Sequence, residues 1–231
     1  MLRHASIFLL FLLCVTALPQ RPDRSNPDML KRFHDDALNI TYFYPSRFAP
    51  VPFSPTPALT SDTRECVRPT LFANSVTPID TSSFALSTVD NTCPDVLHFA
   101  SQLGPFIREK ILHQLKQYGQ PRILQEPTSY TIDGHAAAII LASVLMPSTS
   151  GKVSRTIYAV KACALGSILA KRRKKSKPVG PLGHVVCFDF TTQNSDLLNL
   201  MFSFIVQFDD GPLEPMFLGS VLRRSKSAGL D

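Results

Sequence analysis

Two apolar runs dominate the middle of the chain, and polar residues fall between them in short clusters. Ala136 to Met146 is apolar at nearly every position, which predicts a strand buried on both faces. Just before it, Tyr130-Thr131-Ile132-Asp133-Gly134-His135 sets an Asp-Gly pair between apolar residues, the pattern of a tight hairpin. Beyond it, Val153–Leu165 and His184–Phe190 read as two more strands, joined through the loop Lys171-Arg172-Arg173-Lys174-Lys175-Ser176-Lys177. Long meandering strands thus form the scaffold, with Arg122–Tyr130 leading into them.

The flanking segments predict the cover. Leu38, Ile40, Tyr42 and Tyr44 alternate with Asn39, Thr41 and Phe43, which predicts a first strand over about 37–44. Glu65–Ala73 and Ser83–Val89 read as shorter strands, and the proline-bearing stretch 49–62 as an irregular connection. Asn91-Thr92-Cys93-Pro94-Asp95 is a helix start. Val96, Phe99, Leu103, Ile107, Ile111 and Leu115 follow at helical spacing, with Gly104-Pro105 expected to kink or split the element. Ser195 can cap a second helix over about 196–207, apolar on most sides. The expected fold class is therefore α+β: a mostly antiparallel twisted sheet covered by helices, an α/β/α sandwich.

The amino-terminal pattern changes the picture of where the chain goes. Met1-Leu2-Arg3-His4, the apolar run Ile7–Ala17 and the small residues near Ala17 have the anatomy of a cleavable signal peptide. The run is short for a membrane span. The expected organisation is a signal peptide at 1–17, a flexible lead-in at 18–35, one domain at 36–209 and a loosely packed tail at 210–231. The protein is expected to be secreted or periplasmic, with no transmembrane segment after cleavage. Asn39-Ile40-Thr41 matches the N-glycosylation acceptor pattern, but it falls within a predicted strand and reads as structural.

Charge is concentrated. Of 24 basic residues, Arg3 leaves with the signal, so 23 face 18 acidic ones. The loop 171–177 holds six of these; without it 17 basic residues face the same 18. The basic balance belongs to one loop, which argues against a broad nucleic-acid-binding face. Cys14 also leaves, so Cys66, Cys93, Cys163 and Cys187 remain, and in an exported chain four cysteines allow three pairings. The midpoint of Cys163 and Cys187 is position 175, inside the loop, so a symmetric hairpin sets them opposite each other. Cys66 with Cys93 would be the other pair. Buried free thiols are the alternative.

The element order and several short motifs resemble the PsbP-like sandwich superfamily. The motifs are Tyr42-Phe43-Tyr44-Pro45 then Phe48, a mid-chain helix before Ile132-Asp133-Gly134, and Cys187-Phe188-Asp189-Phe190 before a terminal apolar segment. The resemblance covers roughly 36–208 and suits an exported bacterial member of unknown role. It implies a non-enzymatic scaffold that binds proteins or small ligands, with no shared catalytic residues and no cofactor. The basic insertion at 171–177 is not part of that pattern.

No nucleophile elbow, zinc-protease helix, Cys-x-x-Cys pair, P-loop or dinucleotide fingerprint occurs in the sequence, so no catalytic or metal residue is assigned. Three clusters define the competing reading, a hydrolase or metal-dependent enzyme with a site of dispersed acids and histidines. His34-Asp35-Asp36 offers metal-ligand chemistry, although a solvated strand edge is the commoner meaning. Asp133-Gly134-His135 offers a general base at a hairpin tip, although turn chemistry already explains the aspartate. Asp189 alternates with apolar residues and is either an inward carboxylate with a burial-raised pKa or a satisfied strand carboxylate. The leading candidate is Lys171, Arg172, Arg173, Lys174, Lys175 and Lys177. Six cations in seven positions repel one another and suit an anionic lipid, an acidic polysaccharide or an acidic protein.

Overall fold

A computed structural model describes residues 29–52, 67–77, 80–89, 100–147, 154–168 and 184–217. The predicted meander is its centre. Strand β6 (Pro121–Ile132) turns at Asp133-Gly134 into β7 (His135–Met146), which pairs with β8 (Arg155–Ile168), which pairs with β9 (Val185–Thr192). Asp133 and Gly134 both take positive φ, 46° and 77°, as a two-residue type I′ turn requires. Every residue from His135 to Val144 is buried, so β7 needs cover on both faces.

The sheet extends past β9 through β5 (Ser83–Val89), β4 (Val67–Ser75) and the short β3 (Phe48–Pro50). The predicted shorter strands thus lie within one seven-stranded antiparallel sheet. Helix α1 (Leu103–Lys116) packs on one face of β6, β7 and β8. Leu103, Phe106, Ile107, Ile111 and Leu115 of α1 meet Ala138, Ile140, Ala142 and Val144 of β7. Gly104 and Pro105 do not break this helix. They lie in its first turn, where a missing backbone N–H costs no hydrogen bond.

The other face is covered by strands, not by a helix, and this corrects the expected sandwich. A four-stranded antiparallel sheet has the order β1 (Leu30–Asp35), β2 (Ile40–Pro45), β10 (Ile205–Phe208) and β11 (Glu214–Pro215). Among the described residues α1 is the one α-helix, so the fold is dominated by its sheets. The expected second helix is instead a 3-10 segment, Ser195–Ser203, followed by β10. Asn194, not Ser195, caps it, its side chain accepting from the Asp196 N–H at 2.9 Å. Phe204 is extended, at φ −86° and ψ 128°, and the chain then buries Phe204, Val206 and Phe208 with period two. Over so short an apolar run, helical and strand spacing select many of the same residues, and the β-branched pair Ile205-Val206 favours the strand.

Two boundaries also move. Leu30–Asp35, placed in the lead-in, is the edge strand β1, paired with β2 around the turn 36–39. Its mixed sequence Leu-Lys-Arg-Phe-His-Asp hid it, because an edge strand covering one side of a small sheet needs few apolar residues. The start of the expected tail also packs. Met216 and Phe217 are buried, and the Tyr130 hydroxyl donates to the Met216 carbonyl at 2.7 Å. Burial pushes the Tyr130 phenol above its ordinary range.

An aromatic seam joins the two sheets. Phe204 lies 4.7 Å from Phe188, 5.0 Å from Phe84 and 5.9 Å from Phe48, ring centre to ring centre. These tilted and edge-on contacts are the favoured geometries for ring pairs. The space among Tyr42, Phe84, Phe188 and Phe204 leaves no room for a water. Phe204→Ala should therefore cost about 3–5 kcal/mol, read as a lower urea midpoint with an unchanged slope.

Candidate functional site

The hairpin of β8 and β9 carries the chemistry the sequence singled out. Its register sets Lys161 opposite Asp189 and Cys163 opposite Cys187. Opposed residues in an antiparallel pair alternate between a wide, hydrogen-bonded kind and a close, non-hydrogen-bonded kind. The Cα atoms of Cys163 and Cys187 are 4.1 Å apart, the close kind, and the two sulfurs are joined in a disulfide. Positions two residues along belong to the same kind of pair. Lys161 and Asp189 therefore also meet side by side, with Nζ 2.5 Å from one carboxylate oxygen and 2.7 Å from the other. Both side chains are largely buried, at 9% and 15% exposure.

Asp189 is thus a satisfied strand carboxylate, held by a lysine across the ladder and on the same face as the disulfide. The histidines do not join it. His135 is buried on the face towards the small sheet, stacked on Phe208 with ring centres 4.0 Å apart. Its Nδ1–H donates to the Leu165 carbonyl at 2.7 Å, an acceptor that fixes the tautomer. Asp133, beside it in sequence, serves the turn, as its left-handed φ shows.

The His34-Asp35-Asp36 cluster also divides its labour. His34 Nδ1 lies 2.8 Å from the Thr41 hydroxyl, and Nε2 lies 3.4 Å from Asp36. The buried Asp35 carboxylate accepts from the Ala37 N–H at 3.0 Å and from Arg68 at 3.1 Å, closing the β1–β2 turn. No group of three metal-binding side chains occurs among the described residues.

Two further polar features escaped the sequence reading. Ser82 donates to Thr192 at 2.9 Å, Ser83 and Thr191 share a hydrogen bond of 2.7 Å, and Asp80 accepts from the Ser82 N–H at 2.8 Å. Burial alone would raise the Asp80 pKa; hydrogen bonding from Ser82 and Ser75, with Arg47 nearby, outweighs it and holds the carboxyl below its ordinary value of 3.8. Beside this network an open groove of about 410 Å³ runs past Arg155, Tyr158, Gln193 and Asn194. Nothing in the one-dimensional pattern brings these positions together. Lys161 is different: the midpoint that pairs the two cysteines also pairs positions 161 and 189.

Lys171, Arg172, Arg173, Lys174, Lys175 and Lys177 lie outside the described residues, as do Cys66, Cys93 and the predicted signal at 1–17. The described stem ends at Ile168 and resumes at His184, with the Gly166 N–H donating to the His184 carbonyl at 2.7 Å. No helix among the described residues is long and apolar enough to cross a membrane.

Neither a family model nor a curated protein matches the chain. Among solved structures, the chain is similar to the solution structure of cyanobacterial PsbP (CyanoP) from Synechocystis sp. PCC 6803. That match has 14% identity and a TM-score of 0.45, over 82% of this chain and 99% of that one. The functional reading therefore rests on this chain's own residues.

Two outcomes follow from the buried groups. Lys161→Met leaves Asp189 charged and unpartnered and should cost about 3–5 kcal/mol, whereas Lys161→Met with Asp189→Leu should recover most of the loss; urea titration of the three proteins reads this. For Asp80, a folded pKa below the unfolded one means stability that is present above about pH 3.9 and lost as pH falls through the folded value. Asp80→Asn should accordingly lower the melting temperature at pH 7, with the deficit shrinking below pH 3.9.

Proposed function

We propose that this is an exported, non-catalytic binding domain that docks on an anionic surface through the basic segment 171–177. The observation that carries the reading is the stem of that segment. β8 and β9 are paired without a register shift, cross-linked at Cys163–Cys187 and tied by the buried Lys161–Asp189 pair. Any segment between these two strands is tethered at Ile168 and at His184 to the ends of a fixed ladder. The aromatic seam, and the use of Asp35, Asp133 and Asp189 in turn and strand contacts, support a packed scaffold over a reaction site.

The cations supply the attraction. A basic residue near an anionic membrane contributes about 1 kcal/mol at low screening, so six together are enough to hold a soluble domain there. Such binding weakens as salt shortens the Debye length from about 10 Å at 0.1 M to about 3 Å at 1 M. The chain lacking residues 1–17 should bind vesicles containing phosphatidylserine in low salt and release them at high salt. It should ignore neutral vesicles. Changing Lys171, Arg172, Arg173, Lys174, Lys175 and Lys177 to serine should abolish the binding. Equal binding by both proteins, or by neither, contradicts the reading; capture by a soluble polyanion but not by vesicles moves the partner from lipid to acidic polymer.

A further inference from the structure

We propose that Asn39 is an N-glycosylation site, modified before the chain folds. The proposal rests on the export reading above. Asn39-Ile40-Thr41 is an acceptor tripeptide with no proline at its centre. Placed inside a strand, the motif would be structural; the folded chain places it otherwise. Asn39 is the last residue of the β1–β2 turn, exposed to solvent, with a left-handed φ of 52°. Asparagine tolerates that conformation, and exposed turns are where a bulky, solvated glycan fits.

The amide has room for the modification in the folded state. Asn39 Nδ2 donates to Asp209 at 3.3 Å, and a side-chain amide carries two N–H groups. Glycosylation replaces one and leaves one N–H on the nitrogen. In the transfer, Nδ2 forms a bond to the anomeric carbon of a lipid-pyrophosphate-linked oligosaccharide. The bond from that carbon to the pyrophosphate oxygen breaks, one Nδ2 proton is lost and the lipid pyrophosphate departs.

The third residue of the motif sets the timing. Thr41 is 3% exposed, and its hydroxyl lies 2.8 Å from His34 Nδ1. A transferase that reads the threonine hydroxyl reaches it only while β1 and β2 are unpaired. Modification therefore accompanies export of the extended chain, and the folded protein is not a substrate.

The test is peptide mass mapping of the full chain secreted from cells that carry an oligosaccharyl transferase, before and after treatment with peptide N-glycosidase. The expected result is a glycopeptide at Asn39 that becomes aspartate on release. It should be lost in Asn39→Gln and in Thr41→Ala. A second chain, with residues 1–17 replaced by an established cleavable leader, separates the two claims. An unmodified Asn39 in that secreted protein overturns the site, while modification there but retention of the native chain in the cytosol overturns the export reading and with it the native occurrence. Microsomal membranes offered folded and urea-unfolded chain should modify only the unfolded one, and equal modification of both overturns the timing.

Discussion

A strand that is apolar on both faces must be covered twice, and β7 imposes that constraint on everything around it. His135 to Val144 are all buried, and β8 and β9 on one side and β6 on the other leave no edge at which the strand meets water. Burial of a large aliphatic side chain is worth roughly 1.5–3 kcal/mol, so this one strand recruits α1 on one face and a second sheet on the other. The small residues Ala138 and Ala142 let α1 approach closely. On the opposite face larger rings fill the space: Phe84, Phe188 and Phe190 from the large sheet, and Phe204 from the layer above.

The same centre explains why the polar pairs survive inside. Lys161 and Asp189 are neighbours because antiparallel register makes them so, two residues from a cystine that fixes that register covalently. A slip by one residue would separate the sulfurs and also strand two charges in a low-dielectric layer. Covalent and ionic pairs thus specify the same alignment, and together they define the stem from which the basic segment departs.

How much of this was legible follows from the kind of signal each part carries. The meander was readable because its strands are long, its central strand β7 is apolar nearly throughout and an Asp-Gly turn punctuates it, and the disulfide because hairpin symmetry reduces it to arithmetic on residue numbers. α1 was readable from its repeat, with Leu103, Ile107, Ile111 and Leu115 on one face. The second sheet was not. β1 is an edge strand rich in charge, and β10 is four residues long within a segment whose apolar spacing also fits a helix; only pairing with β2, far away in sequence, decides it. The candidate site divides in the same way. Opposed positions on one hairpin follow from numbering, whereas the Asp80–Ser82–Thr192 network depends on long-range closure and the exposure of Asn39 on where β2 begins. Asn39 illustrates the cost of a boundary error: moved from strand to turn, the same tripeptide acquires a different meaning.

The central claim, that the β7–β8–β9 core dictates the rest, is tested most directly by native-state hydrogen exchange across the whole chain. Buried amides at the centre should open only with global unfolding. The account predicts that Ile139, Ala162 and Phe188 exchange slowest, at a free energy equal to that from urea denaturation, while α1 and the four-stranded sheet open at lower energies. Slowest exchange in α1 or in β1 and β2, with β7 to β9 opening first, would contradict it.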